Sequence, residues 1–242
     1  MRYDTILYDL DNTLLDFNFS QKRAFFRAFP GRDEAFYQTF EAINRAQWKR
    51  LERGEAQRAE ILHERFARFF EKVGVAEDPD AANARYVREL GKGCDIVAGI
   101  PETLDALAAL GCTLAVVTNG LADVQNPRLR ESGLLPYFRC VLVSEEIGYV
   151  KPDPRIFQKA AALCGAAAPA RVLVVGDSPT SDIAGGAAAG FDTCWYRHEE
   201  LPLPEGCTPI YVVTSPKDVI SIVKGEAQPQ SGSFFSAPQQ TP

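Results

Sequence analysis

What the 242-residue sequence lacks narrows its class before any motif is read. It has no C-x-x-C pair, which argues against a zinc ribbon or a dithiol redox centre. Its six cysteines, Cys94, Cys112, Cys140, Cys164, Cys194 and Cys207, stand far apart, several of them inside apolar runs such as CTLAVV and CVLV. A free thiol in such a run behaves as a small hydrophobe, so reduced thiols are expected and a disulfide framework is not. No apolar stretch approaches the ~20 residues of a membrane span. The opening MRYDTILYDLD has no signal-peptide apolar region, and a cytoplasmic location is expected. There is no basic surplus either: the net charge is −6, with Lys and Arg scattered. That removes the electrostatic case for a nucleic-acid polymer as partner. No internal repeat is evident.

What is present is a globular composition, 46% hydrophobic, enough for one large domain or a core domain carrying a smaller insert. Six short apolar, β-branched runs read as buried strands: TILY (5–8), TLAVV (113–117), CVLV (140–143), RVLVV (171–175), TCWY (193–196) and IYVV (210–213). Helical patterns separate them. PETLDALAALG, DPRIFQKAAALCG and SDIAGGAAAG each end on a glycine suited to the position after a helix. Alternation of this kind predicts an α/β fold, a doubly wound parallel sheet.

The interval after the first strand breaks that rhythm. It contains no strand pattern but several amphipathic stretches, among them QKRAFFRAF, EAFYQTFEAINRAQWKRLE and AEILHERFARFFEKVG. Roughly eighty residues is too long for a simple crossover, so an inserted helical cap domain is expected. The resulting division is residues 1–15 and 94–224 for the α/β core, 16–93 for the cap, and 225–242 for a disordered tail. That tail is rich in Gln, Ser and Pro, with Phe234 and Phe235 as possible docking side chains.

Polar residues collect where these strands end. Asp9 and Asp11, in LYDLDNTLL, follow the first run, and Thr118 and Asn119 follow the second. Asp177 and Asp182, in GDSPTSD, follow the RVLVV run, and Lys151 lies in GYVKPDP after CVLV. Ligands of open α/β sheets bind beyond the carboxyl ends of the strands, so four polar clusters converge on one rim. Their chemistry is complementary. Asp9 and Asp177 suit a hard cation such as Mg²⁺. Thr118 and the Asn119 backbone N–H suit phosphate oxygens, and Lys151 suits both phosphate and the nearby carboxylates. Two acids at a buried strand end are costly unless positive charge compensates them; the cation and the lysine supply that compensation.

The ordered set DLDNT, TN, a lone Lys before PDP, and GDSPTSD resembles the haloacid-dehalogenase-like superfamily of aspartyl-phosphate hydrolases, from Ile6 to about Val223. The resemblance implies a Rossmann-like core and a mobile cap. It implies that Asp9 is the nucleophile, and that Asp11 protonates the leaving oxygen and then activates water. By the same resemblance Mg²⁺ sits on the Asp9 carboxylate, the Asp11 backbone carbonyl and Asp177, with Asp182 behind them. Thr118, Asn119 and Lys151 hold the phosphoryl group. Asp11 also separates subfamilies, because a halide leaving group needs no proton whereas an alkoxide does. Phosphomonoester hydrolysis is therefore expected.

The finer resemblance is to the pyrimidine 5′-nucleotidase branch, carried by INRAQWKRLERGEAQRAEILHERF, VVTNGLADVQNPRLRESGLLPYF, VSEEIGYVKPDPRIF and GDSPTSDIAGGAAAGFDTCWY. It implies a nucleoside monophosphate as substrate. Other small phosphate esters such as phosphoglycolate or a sugar phosphate are the alternative, and a non-catalytic scaffold of the same fold is the alternative from another class. Recognition of the base is expected from the cap, with Phe17, Phe19, Trp48 and His63 as candidates and the Arg53-Gly54-Glu55 turn dipping toward the phosphate site. An aromatic at helical spacing such as Trp48 more often belongs to a core, and His63 in AEILHERF also suits a partly exposed helix position. Pro127 falls where a helix should follow Asn119, so that helix either starts there or is kinked there.

Overall fold

The structure is a computed structural model that describes residues 1–198, 203 and 206–230. Six parallel strands form one sheet in the order β3-β2-β1-β4-β5-β6. They are β1 (Thr5–Tyr8), β2 (Thr113–Thr118), β3 (Cys140–Val143), β4 (Val172–Gly176), β5 (Asp192–Tyr196) and β6 (Tyr211–Val213). All six runs read from the sequence are strands, with ends shifted by a residue at most. Of the five helices between β1 and β2, the first four make up the insert: α1 (Phe17–Ala28), α2 (Glu34–Glu52), α3 (Arg58–Val73) and α4 (Pro79–Leu90). The remainder are α5 (Ile100–Ala109), α6 (Ala122–Glu131), α7 (Ser144–Ile147), α8 (Pro154–Leu163), α9 (Ala184–Ala188) and α10 (Asp218–Lys224).

Strand side chains alternate between faces, and both faces are covered. Ile6, Tyr8, Leu114, Val116, Leu173 and Val175 pack with Ile100, Leu104 and Leu107 of α5 and Val219, Ile222 and Val223 of α10. Leu7, Ala115, Val117, Leu142, Val172 and Val174 pack with Ile156, Phe157, Ala160 and Ala161 of α8. A sheet buried on both sides explains why its strands read as unbroken apolar runs. The chain runs outward from β1 through β2 to β3, then crosses back to β4 on the other flank of β1. β1 therefore lies at the point where strand order reverses, and the crevice beyond its carboxyl end is the place for a ligand.

The helical insert has its own core of rings. Phe25, Phe40, Phe66, Phe69 and Tyr86 are buried together, with Phe25–Phe40 and Phe40–Phe66 each stacked at 4.9 Å between centroids. Val124 of α6 joins this cluster, tying the insert to the rim of the sheet.

Three local expectations change. Pro127 does not start the helix but lies inside α6, in its second turn, where the missing N–H removes one bond. The segment read as one helix over 181–190 is a wide π-type turn, Pro179–Ile183, followed by α9. Residues 225–230, assigned to the tail, are placed against the core: Gly225 ends α10 at φ 82°, Ala227 packs on the apolar cluster, and the Gln230 N–H bonds the Ile210 carbonyl. The rest of that tail, 231–242 with Phe234 and Phe235, lies outside the described residues.

Candidate active site

Asp9 leaves the end of β1 still on the sheet ladder, its N–H bonded to the Val175 carbonyl at 2.9 Å. The next residues turn sharply. Leu14 and Leu15 N–H groups return to the Leu10 carbonyl, and all three leucines are buried. Asn12 takes a left-handed backbone, φ 58°, which Asn tolerates better than most residues. Anchoring the leucines below leaves Asp9 and Asp11 on the rim above.

Lys151 is the electrostatic centre. It is 2% exposed, and its Nζ donates to Asp9 Oδ1 at 2.5 Å, Asp182 Oδ1 at 2.6 Å and the Val117 carbonyl at 2.9 Å. Burial works against its charge, but Asp182 and Asp9 outweigh that and raise its pKa. Breaking such a buried pair by removing one partner costs about 3–5 kcal/mol. Asp182 is fully engaged, since its other oxygen accepts the Ser178 N–H at 3.0 Å. Gly176 makes room for it: a Cβ there would lie 2.3 Å from Asp182 Oδ2.

Asp9, Asp177 and Asp182 each bring a carboxylate oxygen within 4.8 Å of the others. One lysine can compensate only one of these three carboxylates. Burial first, with Lys151 opposing and Asp182 and Asp11 adding, pushes Asp9 up to about 7. Burial, then Asp9 and Asp182, raises Asp177 well above the carboxylate range. The Asp177 carboxylate has no hydrogen-bond donor among the described residues, while its backbone carbonyl accepts from Trp195 Nε1 at 2.8 Å. An all-oxygen pocket with more carboxylates than cations, one of them without a donor, fits a hard divalent cation.

Thr118 ends β2, and its hydroxyl oxygen accepts from Gln125 Nε2 at 2.9 Å and the Gly120 N–H at 3.3 Å. With both lone pairs used, its O–H proton remains to be donated. The phosphate expectation for Asn119 concerns its backbone N–H; its side chain has a separate task. Its amide clamps the Lys151 backbone, donating to the Lys151 carbonyl at 3.0 Å and accepting its N–H at 2.8 Å. The side chain therefore holds the lysine in place. Asp11 accepts from Arg128 Nη1 at 2.5 Å and Gln125 Nε2 at 2.6 Å.

A cavity of about 520 Å³ lies between rim and insert. Asp9, Asp11, Thr118, Asn119, Lys151, Asp177 and Asp182 all line it from below, and Phe17 and Trp48 line it from the insert. Phe19 and His63 do not. Phe19 is 53% exposed beneath the Arg23 guanidinium, because it sits on the outer face of α1. The His63 side chain is 51% exposed and pairs with Asp80 at 2.9 Å, because its face of α3 turns to α4. The 53–55 turn stays outside as well, with Arg53 pairing Glu55. Its neighbour Glu52 reaches down to Thr180 Oγ1 at 3.4 Å, its pKa raised by burial and then by Asp182.

Gln125, Arg128 and Arg65 escaped the sequence reading. Gln125 and Arg128 stand at i and i+3 just after the Thr118-Asn119 corner, the spacing that puts two side chains on one helix face. Arg65 looked like an ordinary helix charge. It is instead 2% exposed on the cavity wall, bonded to Asn83 and Asn44 with no carboxylate partner among the described residues, and burial lowers its pKa to about 10.

The sequence matches the haloacid dehalogenase-like hydrolase family over residues 3–190. It belongs to that family and is a hydrolase. It is 34% identical to the pyrimidine 5′-nucleotidase PynA of Streptococcus pneumoniae, covering 91% of this chain and 94% of that one. It is 32% identical to the pyrimidine 5′-nucleotidase YjjG of Escherichia coli, over 89% and 95%. Among solved structures, the magnesium-bound HAD-hydrolase YfnB of Bacillus subtilis superimposes with TM-score 0.86 at 30% identity, covering 92% of this chain and 99% of that one.

Proposed function

We propose that this phosphoric monoester hydrolase cleaves nucleoside 5′-monophosphates, pyrimidine ones first, through an aspartyl-phosphate on Asp9. The observation that carries the reading is the buried Lys151 held between Asp9 and Asp182, beside the unbonded carboxylate of Asp177 and within one cavity with Asp11. Asp9 attacks phosphorus, and the ester oxygen departs with its electron pair and takes the Asp11 proton. Asp11 then takes a proton from water, whose oxygen attacks the same phosphorus; phosphate leaves and the Asp9 carboxylate returns. Lys151 and the Thr118 hydroxyl donate to phosphoryl oxygens as charge develops on them. Asp9, Asp177 and the Asp11 backbone carbonyl would hold Mg²⁺, which when bound offsets the charge of the transferring phosphoryl group. Support comes from the two nucleotidase relatives and the magnesium-bound neighbour. The insert acts as the cap, and a cavity of about 520 Å³ with Trp48 and Phe17 on its cap side has room for a base and sugar.

Phosphate release from UMP, dTMP, CMP, AMP, phosphoglycolate and sugar phosphates, with Mg²⁺ and with chelator, tests this. The expected result is Mg²⁺-dependent release that is fastest from pyrimidine monophosphates. Release from phosphoglycolate or a sugar phosphate alone would overturn the substrate, and no release from any ester by folded protein would overturn the reaction.

A further inference from the structure

Two buried side chains of α6 touch the reacting groups without a part in the chemistry above. Arg128 is completely buried. Its Nη1 donates to Asp11 Oδ1 at 2.5 Å and to Gln125 Oε1 at 2.7 Å, and its Nε donates to the Gly93 carbonyl at 2.6 Å. Gln125 Nε2 divides its two hydrogens between Asp11 Oδ2 at 2.6 Å and Thr118 Oγ1 at 2.9 Å. Every polar atom of that amide is committed, so it cannot flip without losing all three bonds. The approach is close: a Cβ on Gly120 would fall 2.2 Å from Gln125 Nε2.

We propose that Gln125 and Arg128 are positioning residues for proton transfer, locking the Asp11 carboxyl and the Thr118 hydroxyl into one rigid unit. The proposal rests on Asp11 being the acid and base of the reaction. Asp11 sits on an open turn and is partly exposed, so without partners its carboxyl would rotate freely. Its two oxygens are gripped from one helix face. The grip is anchored at the insert's junctions, through the Gly93 carbonyl where the chain returns and the Phe17 ring, 5.4 Å from the guanidinium, where it leaves. Each Asp11 oxygen accepts one of these bonds and keeps a second lone pair. A proton can therefore leave for the departing alkoxide as the P–O bond breaks, and one can return from water, with both contacts intact. Thr118 receives the Gln125 N–H and so points its own proton to the phosphoryl side.

The test compares kcat on an alkyl monophosphate, whose leaving oxygen needs a proton, with kcat on p-nitrophenyl phosphate, whose leaving oxygen does not. Gln125→Met and Arg128→Met are expected to lower kcat on the alkyl ester by about 10²-fold and on the aryl ester by less than about tenfold. KM should stay within a few-fold on both, and Arg128→Lys should recover part of the alkyl rate. An equal fall on both esters, or a change confined to KM, would overturn the proposal and leave the pair as packing. If Arg128→Met does not fold, Gln125→Met decides alone. Asp11→Asn separates the two layers of the argument. If it is not selective for the alkyl ester, the role of Asp11 fails. If it is selective and Gln125→Met is not, only the positioning role fails.

Discussion

The rim of the sheet and the inner wall of the helical insert face each other across one cavity, yet they treat buried charge in opposite ways. At the rim the fully buried cations touch carboxylates: Lys151 lies between Asp9 and Asp182, and Arg128 on Asp11. In the insert, Arg65 has only neutral partners among the described residues. Its Nη1 bonds Asn44 Oδ1 at 3.1 Å, Asn44 Nδ2 bonds Gln21 Oε1 at 2.8 Å, and Gln21 Nε2 bonds the Tyr37 hydroxyl at 3.2 Å. Under the proposed function, the contrast separates two tasks. A surface that handles moving protons and a transferring anion needs paired charges whose balance survives the reaction. A surface that meets an uncharged ring needs oriented dipoles and flat apolar area, which Trp48 and Phe17 provide.

That division of labour can be broken by variants on each side. The largest effect is expected from Asp9→Asn, an isosteric change that removes the nucleophile. Turnover of every ester should fall by roughly 10³-fold or more, with the thermal midpoint showing that the fold persists; near-normal activity would end the covalent reading. A smaller, selective effect is expected on the other wall. Trp48→Ala should raise KM for pyrimidine monophosphates by about tenfold, the scale of one base–aromatic stack, and leave p-nitrophenyl phosphate nearly untouched. An equal loss on both would mean that the insert merely shapes the site. The smallest effect is expected at His63. Its exposed pair with Asp80 is worth at most ~1 kcal/mol, so His63→Ala should leave steady-state rates and denaturation curves close to those of the parent.

The sheet was legible because burial on both faces writes each strand as a short apolar run, and TILY, CVLV and IYVV stand out against polar helix surfaces. The helical nature of the insert was legible from period. Which helical residues face the cavity was not. Phe19 and Phe17 are two residues apart and both aromatic, yet one lies outside beneath Arg23 and the other lines the cavity. A helix rotates neighbouring side chains by about 100° per residue, so aromatic character alone cannot say which points inward. His63 was misplaced for the same reason. The Asn119 side chain has a task that its type does not announce: the loop carrying Lys151 passes close enough to take both of its polar atoms.

By itself, the sequence determined the parallel strands, the long helical interruption after the first of them, and the chemistry gathered at their ends. Those follow from local period, from the cost of burying carboxylates, and from the geometry of open α/β sheets. Only the tertiary structure decided the partnerships. Asp11 meets Gln125 and Arg128 across more than a hundred residues, Asn119 holds the Lys151 backbone, and Arg65 is buried against the side chains of Asn44 and Asn83. A side chain's type states what it can bond. Which bond it makes is set by the packing that brings distant backbone within about 3 Å.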